Sequence, residues 1–189
     1  TLGREHKGRE STQQAFGRFF VDLVREAPEV AERLRGMFAF AIWNSRTETL
    51  FAARDRFGQK PFFYAERGGR LLFASEVKGL LAHGDIAAEP EPVAIDYYLG
   101  LRFVPPPLTM FRGVNKLPAG HCLTWRRGEL VVRPYWSLQF GHEAGRTESD
   151  WIAELRQRLD DAVRSHLVSD VPVGALLSGG LDSSLVTAL

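Results

Sequence analysis

The sequence predicts a chain in two parts: a mixed domain of helices and antiparallel β-hairpins, then the opening of an α/β domain built on a parallel sheet. Three observations predict it. Apolar runs of strand length recur between Met37 and Tyr135 and are paired across short Gly-containing or polar turns. A polar, Gly-containing stretch from Gln139 to Arg146 then breaks the pattern. After it, a long amphipathic helix leads into an apolar run that meets a Ser-Gly-Gly turn.

Thr1 to Glu10 is polar and basic and reads as irregular. Ser11 or Thr12 can cap a helix carrying Phe16, Phe19, Phe20, Leu23 and Val24 at helical spacing, which Pro28 interrupts. Val30 and Leu34 suggest a short helical turn that Gly36 ends. Met37 to Trp43 and Thr49 to Arg54 form a hairpin across Asn44 to Glu48. Pro61 to Ala65 and Leu71 to Ala74 form another across Arg67-Gly68-Gly69. Short helices follow at Glu76 to Leu81 and from Pro92. Val104 to Leu108 is rigid and extended. Gly120 to Trp125 pairs with Leu130 to Tyr135. Thr147 with Asp150 three residues later forms a capping box for a helix bearing Trp151, Leu155, Leu159 and Val163. That helix is expected to pack on a buried strand at Val173 to Leu177.

Composition narrows the function classes. With 44% hydrophobic and 25% charged residues the 189-residue chain is an ordinary globular one. A net charge of +1 gives no footprint for nucleic acid or a membrane surface. No apolar run reaches membrane-span length and no signal peptide opens the chain. One cysteine, Cys122, excludes an internal disulfide framework, so a reducing cytoplasm is expected. Cys122 itself reads as a packed core thiol.

The densest chemistry lies between Val173 and Leu189. Gly179 and Gly180 lack a Cβ, so the turn can take positive φ and a bulky anion can approach its backbone. Successive N–H groups there form an anion-binding concavity, and the following helix adds unpaired donors and a partial positive charge. Ser178, Ser183 and Ser184 offer hydroxyls, and Ser or Asp is available as a helix cap. Asp182 is an anion beside an anion and makes sense with Mg²⁺ between them. The bland alternative is a capped Gly-Gly turn with no ligand. The loop is not a Walker A loop, for it lacks Gly-Lys-Ser/Thr. It resembles the Ser-Gly-Gly-x-Asp-Ser pyrophosphate loop of the ATP pyrophosphatase superfamily, whose members adenylate a carbonyl oxygen.

Two charged stretches, Ala53 to Pro61 and Ala74 to Lys78, admit two readings, a solvated loop with weak surface ion pairs or a functional element. Together with Leu34 to Trp43, Lys116 to His121, Arg133 to Trp136 and His166 to Gly174, they resemble the glutamine-hydrolysing asparagine synthetase family in unbroken order. That resemblance implies the C-terminal part of a class II glutaminase domain, an αββα sandwich of the N-terminal-nucleophile type, over residues 1–137. It implies a linker at 138–147 and the start of a doubly wound α/β synthetase domain at 148–189. Leu177, Ser178, Gly179 and Gly180 would bind ATP, Asp182 and Ser183 would extend the phosphate and Mg²⁺ site, and Ser184 lies beside them. Aspartate, glutamine and ATP would be the small-molecule substrates, with no nucleic acid or membrane partner; a homodimer is allowed.

The family's nucleophile is an N-terminal cysteine, whereas this chain begins with Thr1, whose context does not match, so no glutaminase residue is assigned. The start at Thr1 and the end inside a helix lead us to expect a fragment. Two alternatives stay open: a relative with another carboxylate acceptor, of the β-lactam synthetase or polysaccharide-cluster kind, or an inactive, aggregation-prone piece.

Overall fold

A computed structural model describes residues 27–141, 143–169 and 171–189. The expected Phe-rich helix between Ser11 and Val24 lies outside them. The chain divides into two compact units, one ending at Ser137 and one beginning at Leu138.

In the first unit α1 spans Ala27–Arg33 and ends through a Leu34 N–H donated to Val30 O (3.2 Å), with Gly36 at φ 105°. Strand β1, Ala39–Asn44, pairs antiparallel with β2, Thr49–Arg54. The turn between them is closed by Asn44 Oδ1, which accepts from the N–H groups of Arg46 and Thr47. Strands β3 (Phe63–Arg67) and β4 (Arg70–Ala74) meet at a two-residue turn in which Gly68 and Gly69 have φ 57° and 69°. That left-handed pair matches the twist of a hairpin and suits glycine. Helices α2 (Val77–Leu81) and α3 (Pro92–Leu101) follow, the latter capped by the Glu91 side chain. The Val104 to Leu108 run does not stay extended: it turns at Pro106-Pro107, a cis peptide, where Leu108 N–H reaches Pro105 O. Strand β5 (Asn115–Lys116) was not anticipated, because two residues carry no periodicity. The last hairpin joins β6 (His121–Arg126) to β7 (Glu129–Pro134).

Pairing across hairpins, which local sequence does not reveal, sorts these strands into two antiparallel sheets of order β1-β2-β6-β7 and β4-β3-β5. Period-two alternation gives each sheet two apolar faces. Ala52 and Leu123 of the first sheet pack with Tyr64 of the second and with Phe62 and Leu117, which flank its strands β3 and β5. On the first sheet's other face Phe51, Ala53 and Cys122 cluster with Ala31 of α1. On the second sheet's other face Ala65 and Val114 cluster with Leu80 of α2. The layers run helix, sheet, sheet, helix.

In the second unit α4 spans Glu148–His166, and the Thr147/Asp150 capping box forms as expected. Helix α5 spans Leu181–Ala188. The expected strand at Val173–Leu177 does not form, nor does the packing of α4 on it. A parallel strand needs ladder partners for its N–H and C=O groups, and no described strand pairs with this run. Leu176 is 97% exposed. Among the described residues no helix is long and apolar enough to cross a membrane.

Candidate functional site

The Ser-Gly-Gly turn is built at the head of α5. Gly179 has φ +78°, a left-handed conformation that side chains resist. Gly180 is the N-cap, at φ −75° and ψ 160°, and no side chain caps the helix. This corrects the expectation that Ser or Asp would cap it. The first-turn N–H groups, which lack intrahelical acceptors, are therefore left without a side-chain partner. A Cβ added to Gly180 would sit at ordinary contact distance, 3.6 Å from Ser178 Oγ and 3.7 Å from Ser183 Oγ. The demand for glycine is thus conformational, at Gly179, rather than steric at Gly180.

The hydroxyls converge on one carbonyl. Ser183 Oγ and Ser184 Oγ both donate to Gly180 O, at 3.1 and 2.8 Å. Ser178 Oγ lies 2.9 Å from Ser183 Oγ. Asp182 occupies the exposed first turn, where a carboxylate favours the helix dipole. Leu177 precedes the turn and is exposed. The seven expected residues are contiguous in space, with Ser178, Gly180, Ser183 and Ser184 joined by hydrogen bonds. Among the described residues no group of three or more His, Cys, Asp or Glu side chains could hold a metal by itself. Mg²⁺ commonly takes only one or two carboxylates and completes its shell with water and phosphate, which a lone Asp182 fits.

The Ala53 to Pro61 stretch is of a different kind. Arg54 and Asp55 are buried. The Arg54 guanidinium donates to three carbonyls, Lys60 O (2.7 Å), Leu117 O (2.6 Å) and Gly58 O. The Asp55 carboxylate accepts four backbone N–H groups, from Phe38, Phe57, Gln59 and Lys60, at 2.9 to 3.3 Å. Burial alone would push the Asp55 carboxyl up, but the four donors together hold it below its ordinary value. Burial likewise lowers the Arg54 guanidinium, against the attraction of Asp55. Tyr135 Oη donates to Arg54 O at 2.7 Å, and burial with nearby Asp55 pushes its phenol up to about 12.

Of the two readings of this stretch, surface ion pairing therefore fails for Arg54 and Asp55. It holds for Ser75 to Lys78, where Lys78 and Glu76 form an exposed pair at 2.6 Å. Sequence inspection missed the clasp because charge density looks the same whether charges face solvent or backbone. Cys122 is buried as expected, its thiol pushed up by burial.

The glutamine amidotransferase domain family model matches residues 20–136, and the asparagine synthase model matches residues 154–189. Among curated relatives, asparagine synthetase [glutamine-hydrolyzing] 3 of Bacillus subtilis is 41% identical over 162 residues, covering 85% of this chain and 26% of the relative. Asparagine synthetase [glutamine-hydrolyzing] 1 of the same organism is 41% identical over 164 residues, with 85% and 25% covered. A putative asparagine synthetase [glutamine-hydrolyzing] of Mycobacterium tuberculosis is 40% identical over 168 residues, with 85% and 26% covered. The chain spans about a quarter of the length of these relatives.

Proposed function

The chain belongs to the glutamine amidotransferase domain family, and from that membership we propose that it is a piece of a glutamine-dependent asparagine synthetase. In this reading residues 1–137 are the C-terminal part of an αββα glutaminase sandwich of the N-terminal-nucleophile type. Residues 138–147 are the linker, and residues 148–189 open a doubly wound synthetase domain. The helix, sheet, sheet, helix layering supports the first assignment, and the asparagine synthase match over residues 154–189 supports the last. The reaction places the protein in the cytoplasm, where aspartate, glutamine and ATP are at hand.

Glutamine hydrolysis supplies ammonia. An aspartate β-carboxylate oxygen attacks the α-phosphorus of ATP, the bond to the β-phosphate oxygen breaks, and pyrophosphate leaves. Ammonia then attacks the acyl carbon, AMP departs, and asparagine forms with loss of one proton. The observation that carries this reading is the left-handed turn at Gly179 opening into a helix start that no side chain caps, inside the stretch the asparagine synthase model matches.

Donors at the loop are fixed before the phosphates arrive, so charge building there needs little reorganisation. The N–H groups of the first turn of α5 receive phosphate oxygens, and the Ser178 and Ser184 hydroxyls turn from internal acceptors toward them. Ser183 lines the same loop, Leu177 borders it, and Asp182 would hold Mg²⁺, which would supply positive charge beside the phosphates.

The test is pyrophosphate release by the complete reading frame with ATP, Mg²⁺ and aspartate, given glutamine or ammonia. Aspartate-dependent pyrophosphate with asparagine as product is expected. Release that ignores aspartate moves the assignment to another carboxylate acceptor, and no release with either nitrogen source overturns it.

A further inference from the structure

The stretch read as a linker is, in its second half, fastened to the helix that follows. Arg146 Nη1 lies 2.9 Å from Glu143 Oε2, three residues back. Its Nη2 donates to Glu154, two turns into α4. Its guanidinium carbon stands 3.9 Å from the centroid of the Trp151 ring. Glu154 is held from the other side by Arg158 Nε at 2.6 Å. One residue on, Thr147 N–H donates to Asp150 Oδ2 at 2.9 Å while Asp150 N–H returns to Thr147 Oγ1 at 3.3 Å.

We propose that Arg146 is a latch that folds residues 143–147 onto the first two turns of α4, so that the segment fastened to the helix begins at Glu143 rather than at Thr147. The planar fork suits the role: it meets two carboxylates in its plane and an indole on its face, which an ammonium cannot do at once. The latch holds through the physiological pH range. Its hydrogen bonds with Glu154, then Glu143, raise the Arg146 guanidinium, and the bonds of Arg146, then Arg158, hold the Glu154 carboxyl below its ordinary value. The proposal stands apart from the nucleotide reading and does not need it.

The test uses the full-length protein and a glutamyl endopeptidase, following the rate of cleavage after Glu143 by mass spectrometry. Cleavage after Glu148, inside α4, serves as the internal reference. Arg146→Ala and Glu154→Gln are expected to raise the Glu143 rate roughly tenfold over the Glu148 rate, as a local opening equilibrium shifts. Arg146→Lys should fall between, since it keeps the charge and loses the fork and the stacking. Equal Glu143 rates in wild type and Arg146→Ala overturn the latch. So does a parallel rise at both sites in all three variants, which would mark a general loss of helix stability.

Discussion

Two glycine-containing loops of this chain use polar groups in opposite ways. Around Arg54 and Asp55 both charged side chains are spent inward: three carbonyls take the guanidinium and four N–H groups take the carboxylate. Around Ser178 to Ser184 the hydroxyls hold one another and one carbonyl, while the helix start keeps no side-chain cap. The first loop is finished as it stands and behaves as structure. The second keeps donors in reserve, which is what an anion site needs. Charge content in the sequence leaves Arg54 to Lys60 open between a solvated loop and a functional element.

The strongest way to break this comparison is to remove one carboxylate from each loop. Asp55→Ala leaves four N–H groups without their acceptor and is expected to cost about 3–5 kcal/mol. Asp182→Asn, exposed in a first turn, should change stability by no more than about 0.5 kcal/mol. Urea unfolding of both variants decides the matter, and equal losses would erase the distinction. Acid sharpens it. Asp55 has a folded pKa below its unfolded value of about 3.9, so its contribution is complete above that value and is lost as pH falls through the folded pKa. Urea midpoints should therefore fall below about pH 4 in the wild type, with that part of the slope missing from Asp55→Ala.

Glycine gives the next contrast. Gly120 (φ +65°) and Gly179 (φ +78°) share a left-handed backbone, so an alanine at either is expected to cost about 1–2 kcal/mol from strain. At Gly120 the new Cβ would also lie 2.6 Å from Trp136 O, backbone that cannot step aside, while at Gly179 it would meet nothing within 4 Å. Gly120→Ala should thus lose clearly more stability than Gly179→Ala in the same urea series. Gly179→Ala should instead weaken pyrophosphate binding by the full-length protein, measured by calorimetry.

What the sequence made legible was local. Gly68-Gly69 marked a hairpin, Thr147 with Asp150 announced a helix start, and the Ser-Gly-Gly turn marked the head of α5. What it hid depended on distant partners. The pairing of β2 with β6 joins Ala52 to Leu123 across 70 intervening positions, and no turn signal reports it. The apolar run Val173–Leu177 has strand composition, yet composition cannot supply the neighbour a strand requires. Arg54 and Asp55 look solvated because their partners are backbone groups, which every sequence has and none displays.

The smallest expected effect tests whether the buried clasp extends to its outermost bond. Tyr135→Phe removes the hydroxyl that donates to Arg54 O and should cost about 1 kcal/mol at neutral pH. Ser184→Ala removes a hydroxyl that donates to Gly180 O on an exposed turn, where water replaces the lost partner, and should cost less than about 0.5 kcal/mol. Alkali separates the two further. The Tyr135 phenol is raised to about 12, above an unfolded value of about 10, so its contribution is full below pH 10 and is lost as pH rises through 12. Wild type should lose stability across that window faster than Tyr135→Phe, while Ser184→Ala should track the wild type. If Tyr135→Phe also tracked the wild type, the phenol would not be part of the clasp, and the inward-spent loop would end at the Arg54 side chain.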